Sequence, residues 1–255
     1  MLSAFNDGAL FGERTGGAPL TVLCLHGWGR THRDFAAVLS PPGGEDLDAV
    51  SLDLPGFGAT PAPPQAYSSH EYAEAIAPIL EEASSPVVIV GHSHGGRVAL
   101  CMAAANPDKV AGLVLIGAPV LRRHSTSAPS LRYRAMRAAN RWHLVSDARM
   151  ETIRRRSGSS DYAAATGVMR ETLVKVVNES FEEELAGLTC PVVLLWGSLD
   201  TDVPLEVAQR AEAIIASSQA SGSSQVTLSV LEGVGHLVPT SDPAAVRDAI
   251  DRLRS

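Results

Sequence analysis

The chain has 255 residues, of which 45% are hydrophobic and 19% are charged, and its formal net charge is −7. This length can bury one large core or a core domain with a smaller insert, and the acidic balance argues against a general nucleic-acid-binding protein. No apolar run approaches the roughly 18 residues of a membrane span, and the first residues match neither a signal peptide nor a lipidation motif. We therefore expect a cytoplasmic protein whose three cysteines are buried free thiols.

Apolar runs of strand length recur along the chain, and most are continuously apolar rather than alternating. They are residues 20–25, 49–54, 86–90, 111–117, 191–196 and 226–231. Continuous apolar runs are typical of strands that helices cover on both faces of a parallel sheet. Helical patterns separate most of them, at residues 70–83, 95–106, 204–217 and 243–254. This alternation predicts a three-layer α/β domain.

One long gap interrupts the alternation. Between Pro119 and Cys190 there is no strand-like run, and a connection of that length is too long for a loop in a compact domain. Apolar residues between Thr166 and Phe181 recur at helical spacing. We therefore predict a helical cap at residues 119–189, inserted into a core formed by residues 1–118 and 190–255.

The segment GHSHGG, residues 91–96, lies directly after one predicted strand and directly before a predicted helix. A chain that turns this sharply needs Gly91 and Gly95, because a Cβ at either position would contact neighbouring backbone. This arrangement is typical of a nucleophile elbow, G-x-S-x-G, which exposes the serine hydroxyl at the sheet edge. Ser93 is therefore the candidate nucleophile.

A serine hydroxyl needs a base, and the base needs a third group to orient it. His92 and His94 fit poorly as bases, since neighbouring side chains diverge at an elbow. His236 follows the last predicted strand and should lie at the same carboxyl edge of the sheet as Ser93. For the acid, Asp200 and Asp202 both follow the strand at residues 191–196, and either is close enough to serve.

The loop HGWG, residues 26–29, follows the first predicted strand. Its glycines let the backbone approach a ligand, so the backbone N–H of Trp28 and that of His94 are the predicted oxyanion-hole donors. We expect His26 to brace this loop beside Gly27 rather than to act as a second base.

These motifs together resemble the α/β-hydrolase superfamily along nearly the whole chain, in the branch with a serine nucleophile and a helical cap. The matching segments are His26-Gly27, DLPGFG (53–58), GHSHGG (91–96), WGSLD (196–200) and GVGH (233–236). The resemblance implies a mostly parallel eight-stranded sheet with the cap inserted after the sixth strand. It also implies cofactor-free catalysis and places the acid at Asp200. The order Ser, Asp, His agrees with that superfamily.

Charge is distributed unevenly between the cap and the core. Residues 121–175 contain 12 Lys or Arg and 4 acidic residues, whereas the whole chain is acidic. This basic surface can simply pair with the acidic core or remain solvated. Alternatively, one or two of its arginines reach the pocket and bind a substrate carboxylate or phosphate.

The sequence predicts a serine hydrolase that cleaves a carboxylic ester of a small or medium substrate through an acyl-enzyme. It leaves open whether this substrate also bears a carboxylate. Alternatives with the same triad are hydrolysis of a carbon–carbon bond in a ring-fission diketone and cleavage of an amide, lactone or thioester. A hydrolase-like receptor that senses a ligand is a further alternative from a different class. We expect a monomer or homodimer that binds neither nucleic acid nor a membrane.

Overall fold

A computed structural model describes residues 1–17, 19–122, 160–218 and 225–254. Within these ranges, eight β-strands form one sheet in the order β1-β2-β4-β3-β5-β6-β7-β8. The strands are Leu2–Phe5 (β1), Leu10–Thr15 (β2), Val22–Leu25 (β3), Ala49–Asp53 (β4), Val87–His92 (β5), Val110–Ile116 (β6), Val192–Gly197 (β7) and Val226–Leu231 (β8). Strands β3 to β8 are parallel to one another, whereas β2 pairs antiparallel with both β1 and β4.

The α-helices lie between the strands from β3 onward and after β8. They are Ala36–Leu39 (α1), Ser69–Ile76 (α2), His94–Ala105 (α3), Ser160–Ala164 (α4), Gly167–Val176 (α5), Glu182–Ala186 (α6), Leu205–Ser218 (α7), Val238–Ser241 (α8) and Pro243–Arg254 (α9). Short 3-10 helices are Asn6–Gly8, His32–Phe35, Ala77–Glu82 and Pro107–Lys109. No helix in the described ranges is long and apolar enough to cross a membrane.

The sheet is buried on both faces, which confirms the three-layer α/β prediction. Successive side chains of a strand point to opposite faces. Along β5, Val87 and Ile89 join the core that contains side chains of α2, α3 and α7, whereas Val88 and Val90 join the core beneath α1 and α9. Both sets must therefore be apolar, and this is why the strand reads as a continuous apolar run.

Two local signals explain where helix α2 begins and ends. The Ser68 side chain accepts from the backbone N–H of Glu71, and the Glu71 carboxylate accepts from the Ser68 N–H, which forms a capping box. Pro78 then stands near the start of the following 3-10 segment. Because proline lacks the N–H that an α-helix needs there, the helix predicted at residues 70–83 ends early and continues as a 3-10 turn.

The described parts of the insert, residues 119–122 and 160–189, contain helices α4, α5 and α6 and no strand. Leu173, Val176 and Phe181 are buried as their spacing predicts, but Val177, the residue after α5, is 54% exposed. Residues 123–159, which include the basic run at 154–156, lie outside the described residues. The boundary of the cap at residues 119–189 therefore stays a prediction.

Polar contacts join this insert to the start of helix α2. Glu179 accepts hydrogen bonds from the N–H and the hydroxyl of Ser69, at 3.0 and 2.6 Å. Lys175 Nζ lies 2.6 Å from Glu71 Oε2. The hydroxyl of Thr172 accepts a hydrogen bond from the backbone N–H of Tyr67, in the loop before α2. The insert thus lies against the carboxyl edge of the sheet, the edge at which β5 and β7 end.

Candidate active site

Ser93 lies between the end of β5 and the start of α3, in a backbone conformation with φ 50° and ψ −115°. A residue other than glycine rarely adopts a positive φ, and such strain persists only where the surroundings enforce it. Two hydrogen bonds hold the turn, one from Ser93 N–H to the Ile116 carbonyl at 2.8 Å and one from Gly96 N–H to the Ser93 carbonyl at 3.0 Å. The hydroxyl is thereby presented above the sheet edge.

The glycines of the elbow are required by close backbone packing. A Cβ at Gly91 would lie 2.4 Å from the Gly95 carbonyl oxygen, and a Cβ at Gly95 would lie 2.2 Å from that of Leu25. Gly96 was not singled out from the sequence, yet a Cβ there would lie 2.5 Å from Ala118 Cβ. No side chain fits at these positions without moving the sheet or helix α3.

Asp200 and His236 are joined by a hydrogen bond of 2.8 Å between Oδ2 and Nδ1. The other carboxylate oxygen of Asp200 accepts from the N–H groups of Asp202 and Val203, at 2.9 and 2.8 Å. The carboxylate is therefore fixed in orientation, and the ring of His236 carries its proton on Nδ1, which leaves Nε2 able to accept another. Of the two acids left open by the sequence, Asp200 contacts His236, whereas Asp202 is exposed and contributes its backbone N–H.

Gly117 is a site residue that the sequence reasoning missed. It follows β6 with φ 50°, and a Cβ there would lie 3.1 Å from both Asp200 Oδ2 and His236 Nδ1. The sequence feature that could have indicated Gly117 is its position directly after the apolar run of β6, at the sheet edge where the elbow also lies. Gly117 leaves room for the Asp200–His236 pair.

Ser93 and His236 line one cavity of about 810 Å³, together with Gly27, Trp28 and His94. The Ser93 hydroxyl makes no hydrogen bond within the described residues. Catalytic hydrogen bonds are often long in ligand-free enzymes and shorten when a substrate binds. The cavity therefore brings together the residues that the sequence predicts for acyl transfer.

Two backbone N–H groups beside Ser93 are free to bind an oxygen. His94 is the first residue of α3, so its N–H has no acceptor within the helix, and neither it nor the Trp28 N–H donates to a described residue. Gly27 brings the loop close to the elbow, since a Cβ there would lie 3.3 Å from Ser93 Cβ. The two predicted oxyanion-hole donors thus border the same cavity as Ser93.

His26 is completely buried and links two loops. The backbone N–H of Leu54 donates to its Nε2 at 3.0 Å, so Nδ1 carries the proton and donates to the Gly27 carbonyl at 2.7 Å. Burial lowers the pKa of His26, which keeps the ring neutral. His26 therefore braces the loop that carries Trp28, in the supporting position that the sequence predicts.

The histidines that flank Ser93 are buried, and neither ring hydrogen-bonds to its hydroxyl. His92 donates from Nε2 to the His236 carbonyl, and burial lowers its pKa to about 4. The His94 ring packs edge-on against Trp28 and Tyr72, with centroid distances of 5.4 and 5.0 Å. Among the described residues, neither nitrogen of His94 has a hydrogen-bond partner, and burial lowers its pKa well below the usual value.

The family model described as "Alpha/beta hydrolase family" matches residues 22–249 of this chain. The chain belongs to the alpha/beta hydrolase family. This alpha/beta hydrolase is 28% identical over 261 residues to Lipase LipV of Mycobacterium tuberculosis, a match that covers 91% of the chain and 92% of the relative. Over 111 residues it is 37% identical to a pimeloyl-[acyl-carrier protein] methyl ester esterase of Aromatoleum aromaticum, which covers 42% of each protein.

Solved structures confirm the fold of this alpha/beta hydrolase. The esterase EaEST of Exiguobacterium antarcticum superposes with a TM-score of 0.70, covers 96% of each chain and is 19% identical in sequence. At that identity the likeness concerns the fold alone.

Proposed function

We propose that this alpha/beta hydrolase cleaves a carboxylic ester of a small or medium substrate through an acyl-enzyme on Ser93. The hydrogen bond between Asp200 and His236, in the cavity that Ser93 lines, is the observation that carries the proposal. Relatives named as a lipase and as methyl ester esterases support an ester as the substrate. No metal or cofactor takes part in the proposed reaction.

In the first half of the reaction, Ser93 Oγ attacks the ester carbonyl while His236 Nε2 accepts the hydroxyl proton. Asp200, fixed by two backbone N–H groups, holds the Nδ1 proton and stabilises the imidazolium that forms. The negative charge on the carbonyl oxygen is stabilised by the N–H groups of Trp28 and His94. The tetrahedral intermediate collapses when His236 donates its proton to the leaving alcohol.

In the second half, water replaces the alcohol beside His236. His236 Nε2 accepts a proton from this water as it attacks the acyl carbonyl, and the same two N–H groups bind the oxyanion again. Collapse returns the proton to Ser93 Oγ and releases the carboxylic acid. Both halves use one base, so its position relative to Ser93 decides the rate of each.

A fluorophosphonate probe tests the nucleophile directly. We expect it to label Ser93 in the wild-type protein, not to label Ser93→Ala, and to label His236→Ala at least a hundredfold more slowly. Ser241→Ala, which removes an exposed hydroxyl outside the cavity, is the matched control and should be labelled like the wild type. Labelling that survives Ser93→Ala, or is unaffected by His236→Ala, would overturn the proposed triad.

A hydrolysis screen tests the reaction class. It compares 4-nitrophenyl esters of increasing chain length with a thioester and a ring-fission diketone, and uses Ser93→Ala as the blank. We expect turnover of the esters. Turnover confined to the diketone would replace the esterase by a carbon–carbon hydrolase, and ligand binding without any turnover would indicate a receptor.

A further inference from the structure

Arg97 is a buried cation in the wall of the candidate active site. It lies on α3, one helical turn after Ser93, lines the same cavity and is only 8% exposed. Within the described residues, no carboxylate lies within 4.0 Å of its guanidinium. A buried charge is costly unless it is paired, so a cation without a counter-ion beside a cavity indicates that a ligand can supply one.

The guanidinium of Arg97 is held in place by two backbone carbonyls. Its Nε donates to the Pro119 carbonyl and its Nη1 to the Val176 carbonyl, each at 2.9 Å. Arginine has five N–H donors, and these contacts use two of them. Nη2 makes no hydrogen bond with the described residues, and this nitrogen is not completely buried. Arg97 is therefore preorganised and keeps donors for a ligand.

The acidic groups nearby do not neutralise Arg97 by direct contact. Glu179 is its strongest favourable charge partner, but that carboxylate is hydrogen-bonded to Ser69. The other acids of the lining, Asp161 and Asp202, interact with each other and lie near His236. Burial lowers the pKa of Arg97 only to about 10, so the side chain is charged at neutral pH.

Apolar side chains line the cavity near this cation. Leu121, Leu173 and Val176 all form part of the lining and are almost fully buried. Four residues of α-helix span about 6 Å between the Cα atoms of Ser93 and Arg97, and both residues line the same cavity. An aliphatic chain of several methylenes can therefore reach from the nucleophile to the guanidinium.

We propose that Arg97 binds the free carboxylate of the substrate, so that the cavity accepts monoesters of dicarboxylic acids in preference to neutral esters. This inference rests on the proposed ester hydrolysis at Ser93. The planar fork of the guanidinium suits a carboxylate, and the methylene chain lies against the apolar wall. Arg97 would then select the substrate without taking part in the chemical step.

The test compares kcat/KM for 4-nitrophenyl monoadipate and 4-nitrophenyl hexanoate, which share a six-carbon acyl chain and differ in the terminal carboxylate. We expect Arg97→Gln to lower the adipate-to-hexanoate ratio by about tenfold to a hundredfold, mainly through the KM for adipate. Arg97→Lys, which keeps the charge but not the fork, should retain part of the preference. The fold of each variant is checked by thermal unfolding.

Two results would overturn the inference. An equal loss on both esters in Arg97→Gln would mean that Arg97 merely ties α5 to the core through its two carbonyl contacts. A ratio that falls as far in Arg122→Gln would assign the carboxylate to Arg122, an exposed arginine in the same lining. If Arg97→Gln does not fold, the ratio in Arg97→Lys decides the question, and an unchanged ratio rejects the inference.

A binding measurement separates this inference from the proposed reaction. Calorimetry with adipate on Ser93→Ala and on Ser93→Ala/Arg97→Gln needs no turnover. We expect binding only in the first protein. Loss of adipate binding in the second protein would support the carboxylate site even if no ester were hydrolysed. Ser93-dependent hydrolysis of the hexanoate ester without adipate binding would reject the carboxylate site and leave the proposed ester hydrolysis standing.

Discussion

His92 Nε2 donates a hydrogen bond of 2.9 Å to the backbone carbonyl oxygen of His236. The donor ring is buried and the acceptor belongs to the loop that carries the proposed base. The residue before the nucleophile thus fixes the main chain of His236 from below, while Asp200 fixes its ring from the side. The position of the base therefore depends on the hydrogen bond from a second histidine, His92.

Burial of neutral histidines should make the protein acid-sensitive. The pKa of His92 is lowered to about 4, and the pKa values of His26 and His94 are lowered as well, each mainly by burial. As the pH falls through the usual histidine range, the unfolded chain binds protons at these rings, whereas their lowered pKa values keep them less protonated in the folded chain. The free energy of unfolding should therefore decrease as the pH is lowered, by at most about 1.4 kcal/mol per pH unit for each histidine.

Urea unfolding at pH 7.5, 6.5, 5.5 and 5 measures this slope. His94→Met removes one of the three rings and should show a smaller loss than the wild type. A free energy of unfolding that stays constant from pH 6.5 to 5 would mean that these histidines are protonated in the folded protein too.

Replacing Asp200 should affect activity far more than replacing Asp202. Asp200→Asn leaves an amide beside His236 Nδ1, which favours the wrong tautomer and removes the charge that stabilises the imidazolium. We expect kcat to fall by about a hundredfold to ten-thousandfold. Asp202→Asn keeps the backbone N–H that donates a hydrogen bond to Asp200, so kcat should change less than about threefold. A larger loss from Asp202→Asn would assign the acid to that residue.

Gly117→Ala should disturb the site from behind the Asp200–His236 pair. The new methyl would lie 3.1 Å from Asp200 Oδ2 and from His236 Nδ1, at a backbone φ of 50° that alanine adopts poorly. We expect kcat to fall about tenfold or more and stability to fall by about 1–2 kcal/mol. Gly43→Ala has a similar positive φ with no atom within 4 Å, so it should lose stability without losing activity. Equal kcat values in the two variants would contradict the contact.

His94→Met should leave the oxyanion hole intact and stabilise the fold. The backbone N–H of His94 is unchanged, and methionine fills the space between Trp28 and Tyr72. It does so without burying two ring nitrogens that find no partner among the described residues. We expect the free energy of unfolding to rise by about 1 kcal/mol and kcat to stay within about threefold of the wild type. A large fall in kcat with an intact fold would show that the imidazole itself takes part in the reaction.

The strands of the parallel sheet could be predicted to within about two residues, because burial on both faces forces continuous apolar runs. The hairpin of β1 and β2 could not be predicted in this way. β1 lies at the edge of the sheet and Leu2 is 50% exposed, so no apolar run marks it. The total of eight strands came from the resemblance to a family rather than from the pattern.

The candidate site residues were predictable where a motif directly follows a strand. Carboxyl ends of parallel strands meet at one edge, so Ser93, Asp200 and His236 could be expected to lie together. Gly117 and Arg97 were not predictable, since their importance depends on contacts with residues far along the chain. Spacing alone left Asp200 and Asp202 open. The resemblance to a family placed the acid at Asp200, and that carboxylate is the one that contacts His236.

Ser93→Gly should be inactive and yet more stable than Ser93→Ala. Both variants lack the hydroxyl, but glycine adopts a φ of 50° without strain, whereas alanine does not. We expect a difference of about 1–2 kcal/mol in the free energy of unfolding, measured with urea at pH 7.5. Equal stability of the two variants would mean that the turn is not strained.

Because of the positive φ at position 93, thermal stability favours glycine there, whereas activity requires serine. A library of variants selected only for survival at high temperature should accumulate glycine at position 93 and lose the nucleophile. A selection that also requires ester turnover should keep serine there and gain stability elsewhere in the chain. The outcome of such an experiment would show which of the two demands has shaped this turn.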